Sequence, residues 1–214
     1  QTIQSYAFYG CTSLKQVELP NSVKSIGSSA FVKCSSLVAF KIPPLCTVAP
    51  SFSYCTNLQT ITLHDNIKSF DIQTFNQCTS LESIDIPDGV IELPFAFARG
   101  CTALKTIDFP SSLTKIGEDA FRDCNFETLV IPNTINSIDK YSLAAKVKNL
   151  YLPSSITEAG NYALGTYVID NIYFNGTINQ YIDLLSLNNI ISSATTSNKS
   201  LSWLTASIPI WFFL

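Results

Sequence analysis

Apolar and polar positions along the chain repeat with a near-constant period. Six cysteines, Cys11, Cys34, Cys55, Cys78, Cys101 and Cys124, lie 23, 21, 23, 23 and 23 residues apart. Three residues after each of the first five comes Leu14, Leu37, Leu58, Leu81 or Leu104; after Cys124, Phe126 arrives one residue early. Two alternating apolar positions follow: Val17 and Leu19, Phe40 and Ile42, Ile61 and Leu63, Ile84 and Ile86, Ile107 and Phe109, Leu129 and Ile131. Alternation of this kind predicts a short, half-buried strand. Pro20, Pro43, Pro87, Pro110 and Pro132 close the strands, with His64 standing in the same place once. Proline removes a donor and stops the ladder, and the Asn/Ser/Asp/Gly residues after it are turn formers. Ile26-Gly27 and Ile116-Gly117 then return the chain inward, and Ala7-Phe8, Ala30-Phe31 and Ala120-Phe121 place a ring in the core.

The unit reads C-x-x-L-x-x-I-x-I-P, a polar turn, then I-G-x-x-A-F. Two later units lack the cysteine, Val147-Lys-Asn-Leu150-Tyr-Leu152-Pro153 and Ile169-Asp-Asn-Ile172-Tyr-Phe174. So short a unit cannot bury its own apolar face, so neighbours must stack and equivalent positions must form columns. Departures mark where stacking should be irregular. The third unit is two residues short and carries Pro43, Pro44 and Pro50, which predicts an irregular loop there. In the fifth the ring slips to Phe97, and the seventh and eighth use Leu143 and Leu164 instead.

These motifs resemble the BspA-like leucine-rich repeats of surface proteins from oral and gut bacteria and anaerobic protists. The resemblance lies in unit length, in the A-F-x-x-C-x-x-L core and in the I-P ending, and it covers roughly residues 1–176. Phe174-Asn-Gly-Thr-Ile-Asn-Gln-Tyr181 is similar to the Gly-Thr segment that often closes such arrays. The resemblance implies an α/β repeat: a leucine-rich-repeat solenoid with a parallel sheet on its concave face and short helical or irregular turns on its convex face. The expected organisation is a repeat array over 1–176, about eight units of 21–24 residues with the first incomplete. A C-terminal cap or tail over 177–214 follows, read as the possible start of a truncated membrane anchor.

Composition adds limits. Charged residues are 14% of the chain and the net charge is −3, with no block of one sign, so no nucleic-acid partner is expected. No apolar run is long enough to span a bilayer. Membrane association is therefore expected only through segments outside the chain or through the uncharged end, Leu201 to Leu214. The chain holds no methionine and begins mid-unit at Ile3, which reads as a fragment, a processed chain or a trimmed one.

The column of six cysteines reads as small buried hydrophobes rather than a disulfide framework, because stacked parallel side chains have poor bridging geometry. Cys46 lies off that column and is the expected exposed thiol. No C-x-x-C pair exists and His64 is the single histidine, so no metal or cofactor is expected. His64 replaces a strand-end proline on a solvent edge and reads as structural. Ser112 to Lys115 and Ser137 to Lys140 spell S-x-x-K without a supporting motif and read as chance. No catalytic residue is assigned, and the chain is not expected to be an enzyme.

Binding would then use the residues between the buried strand positions. On the concave face the candidates are Thr60, Thr62, Ser83, Asp85, Thr106, Asp108, Thr128, Asn149, Tyr151, Asn171 and Tyr173. Asp85 and Asp108 should lie side by side, and Tyr151 and Tyr173 should stack as anchors for a protein or glycan ligand. The resemblance implies a cell-surface or secreted module for adhesion or for binding host or matrix proteins. The alternative is an intracellular scaffold using the same face for protein–protein contact. Asn175-Gly-Thr177 and Asn198-Lys-Ser200 are glycosylation triplets that matter only on a eukaryotic secretory route.

Overall fold

Each repeat closes into one coil of a parallel β-solenoid. The structure, a computed structural model, describes residues 1–165, 169–177 and 180, together with the backbone of 210–212. Two rows of strands run along the stack, each paired as three separate parallel sheets of two to four strands. One carries the alternating I-x-I positions: β3 (Ala39–Lys41), β5 (Thr60–Thr62), β7 (Ser83–Asp85), β9 (Thr106–Asp108), β11 (Asn125–Val130), β13 (Lys146–Pro153), β15 (Ile169–Asn175) and β16 (Ile210–Phe212). The other carries two-residue strands that precede the inward turn: β1 (Thr2–Ile3), β2 (Ser25–Ile26), β4 (Val48–Ala49), β6 (Ser69–Phe70), β8 (Glu92–Leu93), β10 (Lys115–Ile116), β12 (Ser137–Ile138) and β14 (Glu158–Ala159). Cys11, the expected start of the column, lies exposed in the first coil, and no strand forms over Gln16 to Glu18.

The core is a set of columns. Phe31, Phe52, Phe75 and Phe121 are fully buried, and Phe8, Phe31, Phe52 and Phe75 stack nearly parallel with centroids 5.1, 6.0 and 6.2 Å apart. Such ring pairs are worth about 0.5–1.5 kcal/mol each beyond their burial. In the fifth coil the backbone keeps register: Ala98 takes the ring position, and its N–H meets the Ala120 carbonyl at 2.8 Å. Phe97 fills the same core from the neighbouring position, edge-on to Phe75 at 5.4 Å and to Phe121 at 6.2 Å.

Opposite the longer strands, the wall expected to be convex holds turns and no α-helix over the described residues. This corrects the helical part of the expected α/β class. The cause is backbone handedness. Two residues before the ring, Tyr6, Ser29, Gln73, Ala96, Asp119, Tyr141 and Tyr162 all have φ between 52° and 61°. Two residues after it, Gly10, Lys33, Tyr54, Gln77, Gly100 and Asp123 have φ between 60° and 73°. A left-handed residue every fourth position forbids a right-handed helix. Most of them sit third in a four-residue turn closed by an i to i+3 bond, such as Ala7 N–H to Gln4 carbonyl around Tyr6 and Cys11 N–H to Phe8 carbonyl around Gly10. The remaining N–H groups reach the next coil, as Tyr6 to Ser28 and Phe8 to Ala30, so turns and ladder share the backbone donors between them.

Two expectations about the third unit change. Pro43-Pro44-Leu45-Cys46 is not irregular. Its Cys46 N–H to Pro43 carbonyl bond is the one made by Val23 to Pro20, Ile67 to His64, Val90 to Pro87, Leu113 to Pro110 and Ile135 to Pro132. Cys46 is therefore a core residue of the Val23–Ile67–Val90 column, fully buried rather than exposed. The two missing residues are lost between Pro50 and Phe52, where the first convex turn is omitted. The Ser51 hydroxyl takes over that turn's bonds, donating to the Gln73 carbonyl at 3.0 Å and accepting from Ser53 N–H at 3.2 Å.

Glycine at the inward turn answers a close approach. A Cβ on Gly117 would lie 2.4 Å from the Leu93 carbonyl oxygen, and one on Gly27 would lie 2.4 Å from Ser5 N. Gly117→Ala should therefore pry two coils apart and cost about 2 kcal/mol or more. Gly10→Ala meets open space and carries only the left-handed penalty of about 1–2 kcal/mol. Urea unfolding midpoints of the two variants check the order.

Candidate functional site

The thiol column is the first place to look for chemistry, and its geometry is structural. Cys34, Cys55, Cys78 and Cys101 each point Sγ at the carbonyl of the ring residue one coil earlier: Phe8 at 3.1 Å, Phe31 at 3.1 Å, Phe52 at 3.2 Å and Phe75 at 3.0 Å. Cys124 does the same to Ala98 at 3.1 Å, which confirms that Ala98 holds the ring register. Each of these carbonyls also accepts the backbone N–H of the cysteine in its own coil, as Phe31 accepts Cys34 N–H. The thiol fills the second lone pair, worth about 0.5–1.5 kcal/mol per bond. Sequence pattern identified the column as buried but gave no sign of this donor role.

All seven cysteines are free. Burial, with a smaller push from the neighbouring thiol, raises Cys55 to about 12, and it holds Cys78, Cys101 and Cys124 well above the usual thiol range. Burial raises Cys46 as well. The nucleophilic thiolate is disfavoured at every one of these positions. Among the described residues, no group of three or more His, Cys, Asp or Glu side chains could hold a metal ion. His64 is half-buried rather than set on a solvent edge, with Nε2 2.9 Å from the Pro43 carbonyl. Ser112 bridges Gly89 N–H and the Val90 carbonyl, which occupies the hydroxyl structurally.

The candidates on the I-x-I face fall where the repeat register puts them. Thr60 and Thr62 pair with Ala39 and Lys41, Ser83 with Thr106, and Asp85 with Asp108. Thr128, Asn149 and Asn171 form one row, and Val130, Tyr151 and Tyr173 the next. Thr60, Thr62, Ser83, Asp85, Thr106, Asp108 and Thr128 are exposed, whereas Asn149, Tyr151, Asn171 and Tyr173 are half-buried. Tyr151 and Tyr173 stack with centroids 4.4 Å apart and planes 11° apart. Beside them Asn171 Nδ2 donates to Asn149 Oδ1 at 3.0 Å. The row ends a groove of about 480 Å³ lined by Val130, Pro132, Asn133, Tyr151, Pro153 and Tyr173. The backbone of Trp211 lies in register with Tyr173 on β16.

One edge of this face was not read from the sequence. From β7 onward the residue before the outward pair alternates in sign, and Lys105 pairs with Glu82 at 3.2 Å and Lys148 with Glu127. The alternation Glu82, Lys105, Glu127, Lys148, Asp170 is visible at the repeat period once the strands are aligned. On the convex wall, Asp119 is buried and binds Arg99 at 3.0 Å and Arg122 at 3.3 Å, while Asp123 lies close to both. The Arg122 guanidinium also covers the Tyr141 ring at 4.8 Å, and Tyr141 stacks on Tyr162. That cluster satisfies itself.

The 177–214 segment lies largely outside the described residues, as do Tyr181, Asn198 and all of residues 201–209. At its start, Thr177 and Gln180 exchange a reciprocal pair of bonds, Thr177 N–H to Gln180 Oε1 at 2.8 Å and Gln180 N–H to Thr177 Oγ1 at 3.3 Å. Among the described residues, no helix is long and apolar enough to cross a membrane.

Comparison with known proteins agrees with the repeat. The family model described as BspA type leucine rich repeat region matches residues 1–97 and 73–189, in six copies. No curated protein matches the chain. A leucine-rich repeat protein from Bacteroides ovatus is 22% identical, with a TM-score of 0.61 over 99% of this chain and 66% of that one. A leucine rich cell surface protein from Faecalibacterium prausnitzii is 19% identical over 88% of this chain and 72% of that one, TM-score 0.39. The pneumococcal vaccine antigen PcpA is 16% identical over 100% and 77%, TM-score 0.40. The Bacteroides likeness is one of fold, and the chain spans just under two thirds of that protein's length.

The thiol geometry sets a measurable expectation. In native protein only Cys11 should react with a thiol reagent, and all seven cysteines should react after denaturation without reductant. A second fast-reacting thiol in the native state, or fewer than seven after denaturation, overturns the buried, unbridged column.

Proposed function

The chain belongs to the BspA-type leucine-rich-repeat family, and from that premise we propose that it is a non-enzymatic binding module of a cell-surface or secreted protein. Its ligand, a protein or a glycan, is taken on the I-x-I face, the side expected to be concave. The observation that carries this reading is the Tyr151–Tyr173 stack over an open groove. Two rings fixed against each other present a rigid amphipathic surface, so little side-chain entropy is lost when a partner covers them. The rest of the assigned face, Thr60, Thr62, Ser83, Asp85, Thr106, Asp108, Thr128, Asn149 and Asn171, supplies polar contacts of the kind that surround such anchors. The array over 1–176 is the binding unit in this reading. The role this reading assigns to the face is adhesion or the binding of host or matrix proteins.

The second reading, an intracellular scaffold, draws on the seven free cysteines, which suit a reducing compartment. That support is thin, because six of the seven thiols are buried and held in the protonated form, and such thiols also survive oxidising surroundings.

Substituting both tyrosines with alanine tests the proposal. Screened against purified matrix proteins and a glycan array, the parent should retain at least one ligand. Tyr151→Ala with Tyr173→Ala should weaken that binding by about 2 kcal/mol or more, with the circular-dichroism spectrum unchanged. Undiminished affinity in the double variant removes this face from consideration.

A further inference from the structure

The strand face changes character along the stack. In its middle coils Asp85 and Asp108 stand directly opposite each other on β7 and β9. Asp65 and Asp88 share with them the lining of a groove of about 240 Å³. None of the four carboxylates makes an ion pair among the described residues. Lys68 lies close, but its Nζ is held by the main-chain carbonyls of Asp65 at 2.8 Å and Asp88 at 3.3 Å. Elsewhere neighbouring coils set opposite charges side by side, as in Glu82–Lys105 and Lys115–Asp139. Like charges directly opposite on paired strands weaken a sheet, so the Asp85–Asp108 pair has a cost and no structural return.

One coil further on, Val130 holds the equivalent place and is 56% exposed, and the next coil raises Tyr151 beside it. A low apolar floor therefore meets a tall aromatic wall right after the acidic pair. We infer that the occupant of this face is a basic, extended polypeptide segment running along the solenoid axis. Its cationic side chain lies between Asp85 and Asp108, and an apolar side chain two residues away rests on Val130 against Tyr151. The inference rests on the reading of this face as the binding surface and names the partner's chemistry.

Spacing supports it. Neighbouring coils are about 4.8 Å apart, which puts Val130 roughly 7 Å from the midpoint of the acidic pair. An extended chain advances about 6.8 Å over two residues and presents both to the same side. The recognised pattern is then basic-x-apolar. Charge decides among partners: a neutral glycan leaves the carboxylates unanswered, and a nucleic acid is repelled by them.

The test is an array of immobilised heptapeptides in a Gly/Ser background, varied at the third and fifth positions and probed with the intact chain. Peptides pairing arginine or lysine with leucine or phenylalanine at those positions should be retained best, and retention should fall as salt rises. Asp85→Asn with Asp108→Asn should lower retention of the basic peptides about fivefold, while the apolar preference stays. The same variant should melt no lower than the parent, since it removes a repulsion. Tyr151→Ala should lower retention of every peptide. If glutamate or serine serves as well as arginine, if the asparagine variant binds unchanged, or if no basic-x-apolar peptide is retained, the inference falls. In the first two cases the binding-face reading stands as long as Tyr151→Ala still weakens retention, and falls with it if that variant binds unchanged.

Discussion

Among the described residues, the buried positions are covered by neighbouring coils, so the structure depends on the register between coils. One residue of slip would move each outward side chain into the core and each inward one to the surface. The backbone ladders set that register, and the thiol-to-carbonyl bonds repeat it inside the core, where no water can substitute. Cys124 donating to Ala98 shows that both links outrank the ring in holding it. The ring moved to Phe97, yet the backbone and the thiol stayed in step and the ring reached the core from next door. Side-chain placement is negotiable here and backbone phase is not.

The same constraint explains the convex wall. A helix would satisfy its own backbone and leave nothing to bind the next coil. Turns with a left-handed third residue close one bond inside the coil and offer the intervening N–H to the neighbour. Non-glycine residues tolerate that conformation at a cost of about 1–2 kcal/mol each, offset by a ladder on the second side of the coil. The third coil shows that the missing bonds must still be supplied: it omits a whole turn, and one hydroxyl, on Ser51, provides the donor and the acceptor.

How much of this was legible depends on whether a signal repeats. The columns, the strands and the outward pairs were readable because each recurs at the period, and all eleven assigned face positions fall on strands in the expected register. Cys46 was misread because it was compared with the other cysteines. Compared with its spacing from Pro43, it matches Val23 from Pro20 and Ile67 from His64 and belongs to a core column. The left-handed residues stayed hidden because Tyr, Ser, Gln, Ala and Asp share no chemistry that marks φ. They share only a place in the coil.

Function has to be sought where repetition relaxes. Buried columns admit few residue types because each coil must match two neighbours, and the alternating charges of the Glu82–Asp170 edge are likewise a device by which coils satisfy one another. The outward row Thr62, Asp85, Asp108, Val130, Tyr151, Tyr173 is under no such demand, and it changes from hydroxyl to carboxylate to aliphatic to aromatic within six coils. A face whose residues served only solubility would carry mixed or paired charge throughout. Two apposed carboxylates followed by a stacked aromatic pair make a surface that is less stable alone than it could be. The basic segment proposed for this face would supply the missing positive charge and cover the rings.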